Sequence, residues 1–217
     1  MSRLNKILIS IIAVFFLLLL IGTVWGFLSF RVVNWKTGSM ANTIISGDRI
    51  LCKIGVGEIK RGEIVLFKLP ADPKVFYLKR VIGLPGETVQ FRGMKVLING
   101  QELAEVRTII DLRTVNGPPE GLLPEVSSEG TGKYRVYYEK PGDEIDEELH
   151  GMRNGVREPY RISEGHYFVV GDCRDNSLDS RFWGTVPREL IVGKALMILD
   201  SSAPGGENRA FTSLQVK

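Results

Sequence analysis

The pattern of apolar and polar positions divides the chain into two parts. Residues 7–30, ILISIIAVFFLLLLIGTVWGFLSF, carry no charge. The run is apolar on every face, which suits a helix surrounded by lipid rather than one packed on a core by a single stripe. As an α-helix it would measure about 36 Å at ~1.5 Å per residue, more than the ~30 Å hydrocarbon core of a bilayer. A cleaved export segment would have a shorter apolar region followed by a small-x-small site. Here the run passes into Phe27-Leu-Ser-Phe-Arg-Val-Val33 with no Ala-x-Ala, so the pattern predicts an uncleaved membrane anchor.

From residue 32 the pattern becomes that of short strands. Asp48–Ile54, Glu63–Leu69 and Val75–Ile82 are apolar-rich and bounded by Gly or Pro, as strands are. Thr88–Phe91 and Lys95–Ile98 continue the series, and Asn99-Gly100 is a strong hairpin signal. Strand character returns at His166–Val170 and Ile191–Leu199. Residues 101–160 differ, with Gly117-Pro-Pro-Glu-Gly121, Ser127-Ser-Glu-Gly130, an acidic cluster at Asp143–Glu148 and one clear strand, Tyr134–Tyr138. No amphipathic helix and no internal repeat is evident. The predicted organisation is a short flank at 1–6, a transmembrane anchor at 7–30, one all-β domain of antiparallel sheets from 31–100 and 161–200, a loop-rich β subdomain inserted at 101–160, and a frayed tail at 201–217.

Composition narrows the function classes. The net charge is +3 and is spread along the chain. No Lys/Arg cluster marks a nucleic-acid surface. Two cysteines, Cys52 and Cys173, are too few for a disulfide-stapled scaffold of this length and read as free or buried thiols. The acidic cluster has no metal-ligand spacing and reads as a solvated loop. Arg3 and Lys6 before the apolar run, against Arg31 and Lys36 after it, give a slight bias toward a cytoplasmic N-terminus. Trp25, Phe27, Phe30 and Trp35 would then sit at the outer interface as aromatic anchors.

Two short stretches carry candidate chemistry. Thr37-Gly-Ser-Met40 follows the apolar run. Gly38 permits close backbone approach, Ser39 is a candidate nucleophile, and Thr37 could aim its hydroxyl at a developing oxyanion beside the Ser39 amide. The same four residues also read as an ordinary turn. A serine needs a base. Neither His150, in the acidic insert, nor His166, at a strand start, stands in an Asp-His-Ser arrangement. Lysine serves if burial destabilises its ammonium. Lys79 lies among Val75, Phe76, Tyr77, Leu78, Val81 and Ile82. Strand alternation puts Tyr77, Lys79 and Val81 on one face and turns Arg80 to the other, where a carboxylate of 171–181 could meet it. A solvent-facing strand lysine is the competing reading.

Three blocks together resemble the bacterial type I signal peptidases, the Ser-Lys membrane proteases that remove signal peptides. They are Gly38-Ser-Met-Ala-Asn-Thr-Ile-Ile-Ser-Gly-Asp48, Tyr77-Leu-Lys-Arg-Val-Ile-Gly-Leu-Pro-Gly-Glu87 and Gly171-Asp-Cys-Arg-Asp-Asn-Ser-Leu-Asp-Ser-Arg-Phe-Trp-Gly184. The resemblance implies a Ser39 nucleophile, a Lys79 general base and an oxyanion hole from Thr37 and the Ser39 amide. It implies that Ser177 orients the lysine amine, and that Asp179 with Arg181 and Asp172 with Arg80 are supporting pairs. Met40, Ile44, Tyr77 and Leu78 would line the substrate pocket, with Trp35 reshaping it. No metal or other cofactor is implied. The expected substrates are signal peptides of exported preproteins, cut after small residues (Ala-x-Ala). The expected setting is the bacterial inner membrane, with a monomeric, single-pass enzyme whose catalytic domain lies on the outer face. A specialised relative that matures conjugative pilins, and a catalytically idle, membrane-anchored binding protein on the same scaffold, are the alternatives. The family pattern usually has Pro at the position of Asn42, Asn at Cys173 and a smaller apolar residue at Trp35. Loss of the proline predicts a looser turn after the nucleophile.

Overall fold

The computed structural model describes residues 3–110, 122–139, 151–156 and 158–215, without the side chains of residues 4, 6, 8, 24 and 27. The apolar run forms one helix, α1 (Arg3–Ser29), unbroken because no proline interrupts its backbone bonds. Ile11, Phe15 and Leu18 are 61%, 62% and 62% exposed, so its apolar surface has no protein partner there. Among the described residues no helix is long and apolar enough to cross a membrane. The run expected to be a membrane anchor at 7–30 is a helix.

The strands follow in chain order. β1 (Phe30–Asn34), β2 (Asp48–Ile54), β3 (Ile64–Leu69) and β4 (Asp72–Gly83) come first. Next are β5 (Thr88–Arg92), β6 (Lys95–Ile98), β7 (Gln101–Glu102) and β8 (Val106–Ile110). β9 (Glu125–Glu129), β10 (Arg135–Tyr138), β11 (Tyr160–Arg161) and β12 (His166–Val170) continue the chain. A one-turn helix, α2 (Ser180–Trp183), precedes β13 (Val186–Pro187), β14 (Ile191–Ser201) and β15 (Thr212–Ser213).

The main sheet runs β1-β2-β14-β3-β4-β12-β13, with β15 also paired to β14. Every pair in it is antiparallel. A second antiparallel sheet runs β11-β5-β6-β7. Asn99 (φ 50°) and Gly100 (φ 80°) turn β6 into β7, the left-handed pair that a tight hairpin needs. The third sheet runs β10-β8-β9 and departs from the antiparallel expectation. There β9 pairs antiparallel to β8, and the chain then crosses to the far edge, so β10 runs parallel to β8.

Strand alternation on β4 sorts the core. Leu78 joins Trp35, Met40, Ile44, Ile50, Cys52 and Ile64 on one side of the main sheet. Val81 joins Val65, Phe67, Val169 and Val186 in another cluster, against which Tyr77 packs. Both cysteines are free and buried.

The sequence reading needs correction in three further places. Ser127-Ser-Glu, read as turn residues, belongs to β9. That strand is exposed at every position, so it lacks the alternation by which strands are recognised. Trp35, expected at the lipid interface, is only 7% exposed and sits in the core. The tail expected to fray adds β15, and the Leu214 amide donates to the Leu196 carbonyl at 2.8 Å. The segments 111–121 and 140–150, with the Gly-Pro-Pro turn, the acidic cluster and His150, lie outside the described residues.

Leu214 is 7% exposed and completes the core cluster around Met40 and Ile44. Leu214→Ala should cost about 3 kcal/mol, read as a lower denaturant midpoint at unchanged slope.

Candidate active site

Ser39 lies in a turn between β1 and β2, and Lys79 lies on β4 between β3 and β12. The turn closes on itself through two backbone bonds, Ala41 N–H to the Gly38 carbonyl at 2.9 Å and Ile44 N–H to the Met40 carbonyl at 2.8 Å. Its apolar residues, Met40, Ala41, Ile44 and Ile45, are at most 1% exposed and anchor it in the core. Ser39 between them stays partly open to solvent. Lys79 Nζ lies 2.5 Å from Ser39 Oγ, and Thr37 Oγ1 lies 3.2 Å from the same oxygen. No described backbone carbonyl accepts from the Ser39 amide.

The lysine is 0% exposed. Burial lowers its pKa to about 8, and the nearby Asp179 carboxylate acts in the opposite direction. Asp179 is itself committed. Arg181 Nε and Nη2 donate to its two oxygens at 2.9 Å each, and the Gly171 amide donates to it at 3.0 Å. Burial would raise the Asp179 pKa, but the Arg181 guanidinium and Lys79 hold it below the usual carboxylate range. On the opposite face of β4, Arg80 Nε donates to Asp172 Oδ1 at 2.7 Å and Nη2 to Oδ2 at 2.5 Å. Arg80 also stacks over the Tyr134 ring at 4.4 Å. Both ion pairs are bidentate and almost fully buried, so their geometry is fixed.

The loop between β12 and α2 passes directly under Ser39. The Cys173 amide donates to the Ser39 carbonyl at 3.2 Å. A Cβ at Gly171 would collide with that carbonyl oxygen and with the Ser177 hydroxyl, so only glycine admits the loop this close. The Asp172 amide donates to Met40 Sδ at 3.4 Å.

The residues singled out from the sequence divide into groups. Thr37, Ser39 and Lys79 converge on one oxygen. The pairs Arg80–Asp172 and Arg181–Asp179 form on either side of them. Ser177 Oγ is buried beside the Ser39 carbonyl but makes no hydrogen bond, so it does not hold the Lys79 amine in this geometry. Trp35, Met40, Ile44 and Leu78 lie together but are core residues at 7% exposure or less, whereas Tyr77 faces the other side of β4. His166 bonds the Glu164 carbonyl within its own turn and stands apart from Ser39.

Three positions carry weight that the sequence reading did not assign. Asp48 is 0% exposed and accepts from the Ile45 amide at 2.9 Å. Arg209, in the supposedly frayed tail, donates to Asp48 Oδ2 at 2.8 Å and to the Asn42 and Thr43 carbonyls at 3.2 and 2.8 Å. Asn42, expected to loosen the turn, bonds the Leu123 backbone twice, at 2.8 Å each way. Asp48 stood inside a motif block and was legible there. Arg209 lies 161 residues from Asp48, and no local pattern announces it.

A hydroxyl against a buried amine that gives up its proton near pH 8, with the Thr37 hydroxyl beside it, is equipped for nucleophilic acyl transfer. The site stands on a mostly antiparallel β scaffold. A model of the signal peptidase family, peptidase S26, matches residues 7–199, and the chain belongs to that family. Signal peptidase I of Pseudomonas fluorescens is 36% identical over 75% of this chain and 62% of its own length. Signal peptidase I of Aquifex aeolicus is 32% identical over 75% of this chain and 72% of its own. The chain thus spans 62% of the Pseudomonas relative it matches. A crystal structure of a signal peptidase I from Enterococcus faecalis aligns at 26% identity over 64% of this chain and 98% of that one, with a TM-score of 0.39.

Burial of Lys79 has a stability consequence with a definite sign. In the unfolded chain the amine titrates near its ordinary 10.5, whereas in the folded chain it titrates near 8. Below about pH 8 both states hold the proton, so the folded state bears the full cost of an ammonium without water. The cost is relieved as pH rises from about 8 to 10.5. Lys79→Met should therefore raise stability at pH 7 by on the order of 2–3 kcal/mol. The gain should shrink by pH 10, as thermal melts at the two pH values will read.

Proposed function

We propose that the protein is a membrane-anchored serine endopeptidase that removes signal peptides from exported preproteins, with Ser39 as nucleophile and Lys79 as general base. The observation that carries this reading is the Lys79 amine, wholly buried and 2.5 Å from Ser39 Oγ. Neutral Lys79 takes the Ser39 proton as Oγ bonds to the carbonyl carbon of the scissile peptide. The carbonyl oxygen becomes an oxyanion and accepts from the Ser39 amide and the Thr37 hydroxyl. Lys79 then gives its proton to the leaving amine as the C–N bond breaks. Water, deprotonated by the same amine, attacks the acyl ester and restores Ser39. The ion pairs Asp179–Arg181 and Asp172–Arg80 brace the single segment between β12 and α2 that runs beside this exchange, and Ser177 lies in the same segment.

The substrates in this reading carry small residues, Ala-x-Ala, before the scissile bond. Met40, Ile44 and Leu78 are each 0% exposed and belong to the core that supports the Ser39 turn. The anchor in this reading is α1. Its 27 residues correspond to about 40 Å of helix, and the consecutive residues Phe16, Leu17, Leu18 and Leu19, which point in different directions around it, are all exposed. Such a surface is costly in water and at home in lipid. The basic residues flanking the run favour an N-terminus on the cytoplasmic side of the bacterial inner membrane, with the site on the outer side.

Purified full chain in detergent should cleave a model preprotein after Ala-x-Ala, and Ser39→Ala and Lys79→Ala should each lower kcat by at least about 10³-fold while remaining folded. A Lys79→Ala enzyme with near-normal turnover would remove the assigned base. Activity should also climb with pH through a midpoint near 8, the value to which burial brings Lys79, because only the deprotonated amine can take the serine proton. A rate that stays level from pH 6 to pH 10 contradicts a titrating lysine.

A further inference from the structure

The turn bearing Ser39 is gripped from outside by two side chains. Arg209 holds its far end through the Asn42 and Thr43 carbonyls and Asp48. The second grip is Asn42, three residues after the nucleophile and 6% exposed. Its Nδ2 donates to the Leu123 carbonyl at 2.8 Å, and the Leu123 amide donates to Asn42 Oδ1 at 2.8 Å. This is the exchange of two bonds that paired strands make, with a side-chain amide in place of one backbone.

The chemistry of this contact is specific. A carboxamide offers one donor and one acceptor side by side, matched to a single residue's C=O and N–H. An ionised carboxylate lacks the donor, and an apolar side chain lacks both. Leu123 is 4% exposed and packs with Ala41, Ile45, Ile110, Tyr137 and Cys173, so the bonded pair lies in a shell from which water is excluded. Leu123 leads into β9, which pairs with β8. On the other side of β8, Tyr137 of β10 gives its amide to the Asp172 carbonyl, and Cys173 gives its amide to Ser39. The β10-β8-β9 sheet is thus joined to the nucleophile from two directions.

Resting on the reading of Ser39 as nucleophile, we infer that Asn42 is a positioning residue that docks the nucleophile turn onto the β10-β8-β9 sheet and thereby sets the rate at which Ser39 is acylated. The turn can hold Ser39 Oγ against Lys79 only if its backbone does not drift. Side-chain bonds to a neighbouring sheet suppress that drift without occupying the face open to substrate.

The test is active-site titration of the full chain in detergent with a penem that acylates serine, on wild type, Asn42→Ala and Asn42→Leu. The leucine variant keeps the volume and removes both bonds, which separates the hydrogen bonds from a packing void. The amplitude of labelling counts competent sites, and the rate constant reports how well Ser39 is held. The expected result is unchanged amplitude with an acylation rate roughly tenfold lower in both variants. With a preprotein substrate kcat should fall and KM stay level, and hydrogen exchange in the peptide over 122–129 should accelerate. Equal rate constants in wild type and both variants would overturn the inference alone. So would an amplitude that falls in step with activity while the rate constant holds, since that marks a merely structural residue. A wild type that the penem does not label at Ser39 would overturn the nucleophile assignment, and the inference with it.

Discussion

An ammonium ion deprived of water is unstable, and the site is arranged around that fact. Lys79 is enclosed by strands on both sides and by the Ser39 turn in front. Two carboxylates nearby would favour its charged form if either were unmatched. Each is matched instead. Arg181 takes both oxygens of Asp179, and Arg80 takes both oxygens of Asp172. The arginines therefore do more than brace loops. By engaging the carboxylates in two-point contacts they leave burial as the dominant influence on the lysine, which titrates near 8 as a result. A basic, uncharged amine at moderate pH is what a serine hydroxyl needs in order to react.

The rest of the molecule keeps that amine and one hydroxyl oxygen in register. Lys79 is rigid because β4 is paired on both edges, to β3 and to β12. Ser39 sits on a turn, and a turn has no neighbouring strand to restrain it. The restraint comes from several directions at once: buried Met40 and Ile44 below, the Cys173 amide on the Ser39 carbonyl, Arg209 on the following carbonyls and Asn42 on Leu123. Gly171 is part of the same device, since any side chain there would push the loop away from Ser39.

Much of this was legible in the chain itself. The strands β2 and β12 begin and end where the apolar pattern changes, and Asn99-Gly100 makes the hairpin turn that its residue types demand. The alternation in β4 already separated Lys79 from Arg80 and gave each its own face. The same alternation also separates Tyr77 from Leu78, although both were assigned to one pocket. β9 escaped notice because a strand exposed on both faces has no hydrophobic period, and β15 because two residues are too few to show one.

Local pattern thus determined which residues become strands and which become the apolar helix, since periodicity and turn chemistry act over a few residues at a time. Tertiary structure decided what those residues face. It brought Ser39 to within 2.5 Å of Lys79 across 40 positions of chain, set Arg209 against Asp48, buried Trp35, and gave Asn42 the Leu123 backbone as a partner 81 residues away. Those contacts join segments far apart in sequence, and they are fixed only when the sheets close and the buried polar groups must find partners.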